Sequence, residues 1–240
     1  TVLHISTQSL PEEEREDPFL LAMAVKKYAE EQVDERWNSR FVIYLGDIIM
    51  ISQLQEKDDL IAYTDEMDRL CRMARKVCNA RATAGIGYLC DSLEQIPFSY
   101  QGAKQAVSYR VLYGNTRSIS ISEVEPGETA ELQRVDAYAD LIQRIIKKIR
   151  VGEENVLQEA IHDFIQWLNE AHLSMQNYRI VMMELISELV RFAAGHDLSI
   201  DNVSGTGTDA YHQTLQMEST EALEKWLLDL CRHLQREVLH

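Results

Sequence analysis

Apolar and polar positions along the first half of the chain switch between two periods. Thr1–Thr7 alternates apolar and polar residues, the pattern of a strand with one buried face. Pro11–Asp17 reads as an acidic loop, and Asp17 as the cap of a helix whose first position is Pro18. Phe19, Met23 and Ala24 open the apolar stripe of that helix, which runs toward Val33. Arg40–Tyr44 and Ile48–Ser52 read as two strands around Leu45-Gly46-Asp47, a tight hairpin in which glycine tolerates positive φ. Asp58 and Asp59 open the next helix, with Leu60, Tyr63, Met67, Leu70, Cys71, Ala74, Val77 and Cys78 at helical spacing. Ala82–Leu89 is a strand carrying two glycines. Ser99–Tyr113 is a helix stopped by Gly114-Asn115, and Ser118–Val124 closes the series as a strand.

Interleaved helices and strands of this kind imply an α+β or α/β layer, and the hairpin excludes a purely parallel sheet. Glu125-Pro126-Gly127 is the best boundary, because the pattern beyond it is helical only. Leu132–Val151 carries Val135, Ala139, Ile142, Ile146 and Ile149; Val156–Leu168 carries Leu157, Ala160, Ile161, Phe164, Ile165 and Leu168. Asn177–Ala194 places Val181, Leu185, Ile186, Leu189 and Phe192 on one face. Leu198–Thr214 reads as a polar loop, and Glu218–Leu239 as a last helix with Leu223, Leu227, Leu230, Leu234 and Val238 at near-heptad spacing.

Charge narrows the partners. The 240 residues carry a net charge of −15, which opposes a phosphate-binding surface. Two basic clusters, Arg69/Arg72/Arg75/Lys76 and Arg144/Lys147/Lys148/Arg150, lie on amphipathic helices and read as solvated faces, so DNA binding by these residues is not expected. Cys71, Cys78, Cys90 and Cys231 form no CxxC pair, and a reducing cytoplasm is the simpler setting. No apolar run is long enough to span a bilayer. The chain opens on Thr1 rather than Met and its last helix runs apolar almost to His240, so it is expected to be a piece of a longer protein.

Motifs for common chemistries are missing. The seven histidines form no HxxxH or HExxH pattern, no GxxxxGK[ST] phosphate loop is present, and Gly85-Ile86-Gly87 precedes no helix directly. No metal site and no cofactor are expected.

The first half resembles the GGDEF-type domain of diguanylate cyclases in a degenerate form. Leu45-Gly46-Asp47-Ile48-Ile49 falls where that family has Gly-Gly-Asp-Glu-Phe on its hairpin. Ala84-Gly85-Ile86-Gly87 is similar to its following strand. Ser99–Ala106 with Tyr113-Gly114-Asn115 is similar to its last helix and stop. The resemblance implies a ferredoxin-like, adenylyl-cyclase-like sheet with helices, followed by an all-α domain, with boundaries 1–125 and 128–240. Family chemistry needs two Mg²⁺ ions and several hard oxygen ligands. The first-strand acid would fall within Thr1–Ser6, which has none, the fourth motif position is Ile48, and the first glycine is Leu45. Asp47 is therefore expected to be a turn residue without catalysis.

A longer stretch, GIGYLCDSLEQIPFSYQGAKQAVSYRVLYGN, resembles the central region of YesN-type response regulators of the AraC family. PucR and CdaR regulators carry a similar degenerate domain. The resemblance implies a homodimeric, cytoplasmic, non-enzymatic segment that couples a receiver domain to an AraC-type helix-turn-helix pair, both outside this chain, with DNA contacted only through that pair. Leu223, Leu227, Leu230 and Leu234 are candidate interface or relay residues; packing within the helical domain is the simpler use of the stripe. The alternatives are a small-molecule or nucleotide sensor in a cleft between the two halves, or a residual cyclase or phosphodiesterase.

Overall fold

A computed structural model describes residues 1–6, 17–125, 136–151, 154–198 and 210–239. Its contacts cluster into two compact units, Thr1–Glu125 and Pro126–His240. The first is a mixed α/β unit and the second is helical.

In the first unit, β1 (Val2–Ser6), β2 (Arg40–Tyr44), β3 (Asp47–Ile51), β4 (Arg81–Ile86) and β5 (Ser118–Ser120) form one sheet in the order β2-β3-β1-β4-β5. Every pairing is antiparallel except β4 with β5, which is parallel. The helices are α1 (Pro18–Gln32), α2 (Asp59–Val77), α3 (Ile96–Ser108) and two single turns, α4 (Arg110–Tyr113) and α5 (Ile121–Val124).

Alternation along the strands sends Leu3, Ile5, Ile48, Met50, Ala82, Ala84 and Ile86 to one face, where they pack with buried residues of α1 and α2 and with Trp37. Each large side chain among them contributes about 1.5–3 kcal/mol by leaving water. On the opposite face α3 covers Val2 through Ala103, Val107 and Tyr100. A β-carbon on Gly85 would stand 2.1 Å from the Ala103 carbonyl oxygen, and one on Gly87 1.9 Å from that of Ser99. These two glycines let α3 lie directly on β4.

Asp17 caps α1 as its sequence implies, its carboxylate accepting from the Phe19 N–H at 2.9 Å. The buried face of α1 differs from the expected stripe. It is Leu21, Ala22, Val25 and Ala29, while Phe19 and Met23 stand 57% and 49% exposed. Small alanines meet the sheet at close range, which turns the bulkier apolar side chains outward. SISISEV also departs from a continuous strand: only Ser118–Ser120 pairs with β4, and Ile121 begins a helical turn. That turn buries Ile121 beside Gly102 of α3. The Ser118 N–H donates to Asp68 at 3.1 Å and its hydroxyl to the Thr64 carbonyl at 3.0 Å, tying β5 to α2.

The second unit contains α6 (Asp136–Val151), α7 (Glu154–Glu170), α8 (Met175–Ala194), α9 (Ala210–Gln216) and α10 (Thr220–Leu239) among the described residues. The pattern read as a loop over Leu198–Thr214 contains the start of α9; residues 199–209, the acidic loop up to Glu16, and Val135 lie outside the described residues. Leu157, Ala160, Ile161, Phe164, Ile165 and Leu168 of α7 are all buried, as are Val181, Leu185, Ile186, Leu189 and Phe192 of α8. No helix among the described residues is long and apolar enough to cross a membrane.

Candidate functional site around Asp47

The hairpin that carries the motif turns on two residues, not three. Leu45 has φ 52° and Gly46 φ 84°, and Tyr44 faces Asp47 across the ladder. Positive φ at both central positions is a type I′ turn, whose twist matches that of the flanking strands. Gly46 takes this conformation freely. Leu45, 81% exposed, holds it at a cost of about 1–2 kcal/mol for an L-residue.

Asp47 is therefore the first residue of β3, and the expectation of a turn residue is corrected. Its side chain points to the α3 face and is only 10% exposed. Each carboxylate oxygen has a cationic or imidazole partner. His4 on β1 meets Oδ1 through Nδ1 at 2.8 Å, and Lys104 on α3 donates to Oδ2 from Nζ at 3.2 Å. Burial, the largest single influence, works to raise the Asp47 carboxyl. The His4 and Lys104 hydrogen bonds and charges outweigh it, and the net shift is downward. The carboxylate is held ionised, with both oxygens hydrogen-bonded to groups of this chain.

Ile48 points the other way and is fully buried in the α1/α2 core, and Ile49 is half-buried on the Asp47 side. An acid at position 48 would have to stand among Leu3, Met50 and Ala84. Among the described residues no group of three His, Cys, Asp or Glu could hold a metal ion.

Residues 1–109 match the family described as GGDEF-like domain. The chain carries a GGDEF-like domain over those residues. No curated protein matches the chain, and no solved structure does.

Within the GGDEF-like domain, His4 and Lys104 are the residues that sequence reasoning missed. They lie 43 and 57 positions from Asp47, so no local spacing reports them. One signal was available: strand alternation puts His4 on the polar face of β1, in the segment where the resemblance asks for an acid. A second polar site braces the domain from the other end. Glu66, buried on α2, accepts from the Asp34 N–H at 2.7 Å and from the Trp37 indole N–H.

The domain also holds a cavity of about 230 Å³ beyond the ends of β3 and β4, away from Asp47. Tyr63, Ser52, Ile86, Gly87, Tyr88 and Ser99 are among its lining residues. The Tyr63 hydroxyl bonds Ser52 at 3.0 Å and Thr1 at 2.8 Å, and burial pushes it up to about 12.

The four leucines singled out on the last helix lie elsewhere. Leu223, Leu227 and Leu234 are fully buried and Leu230 is 4% exposed, all within the helical unit. They form part of that unit's own core, where α10 packs against α6 and α7.

Proposed function

We propose that this chain is a non-catalytic regulatory segment, in which the GGDEF-like domain serves as a protein part rather than as a nucleotide cyclase. The observation that carries this reading is that both oxygens of the buried Asp47 carboxylate are already hydrogen-bonded within the chain. Phosphodiester synthesis on this fold needs divalent ions held by several oxygens. Here the one carboxylate of the motif is already engaged by His4 and Lys104, and Ile48 stands in the core. Incubation with GTP and Mg²⁺ followed by product analysis tests it. No phosphodiester product is expected; turnover that disappears in Asp47→Ala would overturn the reading.

The resemblance to YesN-type regulators supports a finer proposal. The segment couples a receiver domain to an AraC-type DNA reader in a bacterial transcription regulator, acts as a homodimer in the cytoplasm, and touches DNA only through that reader. Coupling would be a shift between two arrangements biased by the input. Because Leu223, Leu227, Leu230 and Leu234 are core residues, any part they play is through packing. Sequencing the flanking coding DNA tests the context: a receiver before Thr1 and a helix-turn-helix pair after His240 support it, and any other neighbours reject it.

The cavity favours a second reading, a sensor without turnover. At about 230 Å³ it falls below the ~300–1,000 Å³ usual for drug-sized ligands, so it suits a small metabolite better than a nucleotide. A thermal-shift screen of small metabolites against the wild type and a cavity-filling Ser99→Phe variant tests it. A rise confined to the wild type supports the sensor.

A further inference from the structure

The outer edge of the sheet is a surface of unusual composition for this protein. β2 is an edge strand, and its backbone polar groups divide cleanly. Met50 exchanges both backbone bonds with Thr1, so it points toward β1 and not toward Phe41, its opposite number on β2. By alternation Arg40, Val42 and Tyr44 bond to β3, while the N–H and C=O of Phe41 and Ile43 face outward. Nothing among the described residues pairs with them.

The side chains follow the same rule. Phe41 and Ile43 pack partly against the core. Arg40, Val42 and Tyr44 lie on the other face, beyond the reach of α3, with Val42 52% and Tyr44 53% exposed. Among the described residues the Arg40 guanidinium donates to the neighbouring Ser39 carbonyl. Strand edges of this kind are usually blunted by charge, proline or a bulge. This one has a single cation at one end and an aromatic ring at the other.

We propose that β2 is the contact through which two copies of this chain form an antiparallel, two-fold symmetric pair centred on Val42. The register is set by which groups are free. Phe41 and Ile43 of one copy would exchange N–H···O=C bonds with Ile43 and Phe41 of the other. Val42 then meets Val42 as a non-hydrogen-bonded pair, with Cα atoms about 4.5 Å apart. In the same register Arg40 of each copy lies across from Tyr44 of its mate, placing a guanidinium over a phenol ring at both ends. A symmetric interface requires a self-complementary patch, and Arg40–Val42–Tyr44 read in opposite directions is one. A chain of net charge −15 repels its copies over most of its surface, whereas β2 carries a cation and no acid, and Asp47 beside it is turned to the α3 face, where Lys104 donates to it. The inference stands independently of whether the domain transmits a signal.

Light scattering on the whole chain at about 0.15 M salt, where charges beyond about 8 Å are screened, gives the first readout. A concentration-dependent dimer is expected, and Val42→Lys, which sets two ammonium groups face to face, returns it to monomer with an unchanged circular-dichroism spectrum. Cross-linking fixes the register. In a Cys90→Ser background, which removes the exposed thiol, Val42→Cys is expected to form an interchain disulfide under mild oxidation. Arg40→Cys in the same background is not, because its two copies would stand about 13 Å apart. A monomer at the highest soluble concentration, a dimer that survives Val42→Lys, or equal cross-linking through Arg40→Cys would overturn the proposal.

Discussion

Replacing Asp47 by Asn removes one charge and leaves the shape of the side chain nearly intact. In the folded domain the carboxylate accepts from His4 at 2.8 Å and from Lys104 at 3.2 Å. A buried hydrogen bond to a charged group is worth about 1.5–3 kcal/mol. The Lys104 side chain is 44% exposed, so its share is discounted to about 0.5 kcal/mol by solvent screening. An amide keeps one neutral hydrogen bond to His4, about 1 kcal/mol. The expected net loss is therefore about 1–2.5 kcal/mol, a fall of about 2–10 °C in Tm for a chain of this size. Urea unfolding followed by fluorescence in a Trp167→Phe, Trp226→Phe background, which leaves Trp37 of the first unit as the reporter, reads the change where it occurs. pH supplies an internal control. The folded-state pKa of Asp47 is depressed, so its contribution is complete above the unfolded value near 4 and is lost as pH falls through the lower folded value. The gap between wild type and Asp47→Asn should be full at pH 6 and narrow below about pH 4. Equal stability at pH 6, or a gap that widens in acid, would refute the account of Asp47 as an ion-paired buried carboxylate.

Other substitutions probe the frame around it. Leu45→Asn gives the turn a residue that accepts positive φ and should stabilise the domain by about 1 kcal/mol, read as a raised urea midpoint. Gly85→Ala drives a β-carbon into the Ala103 carbonyl and should cost about 3 kcal/mol or more by lifting α3 from β4, with loss of amide protection along α3. Leu227→Ala empties a fully buried site in the helical unit and should cost about 2–5 kcal/mol there, leaving the Trp37 signal of the first unit unchanged.

What the sequence disclosed was local. Asp17-Pro18 marks a helix start because a capping oxygen and a fixed φ act within one turn, and the structure begins α1 there. The faces of α7 and α8 were legible because their apolar residues recur at helical spacing against a helical neighbourhood. Phe19 and Met23 misled because hydrophobicity alone does not say which face a sheet will take; Ala22 and Ala29 won by fitting closely. In SISISEV the alternation was real, but burial of Ile121 beside Gly102 ended the strand after Ser120. At the motif, the degenerate positions Leu45 and Ile48 were visible as letters. The partners of Asp47 were not, since they come from a different strand and a helix and meet it only after the sheet closes.

On the proposed reading Asp47, hydrogen-bonded to His4 and Lys104, gathers no divalent ion. Titrating Mn²⁺ into the isotopically labelled chain, with line broadening followed at the His4 and Asp47 backbone signals, measures it at the site itself. These signals are expected to keep their width while exposed carboxylates of the −15 chain broaden weakly and without saturation. Saturable broadening centred on His4 and Asp47, lost in Asp47→Asn, would contradict it.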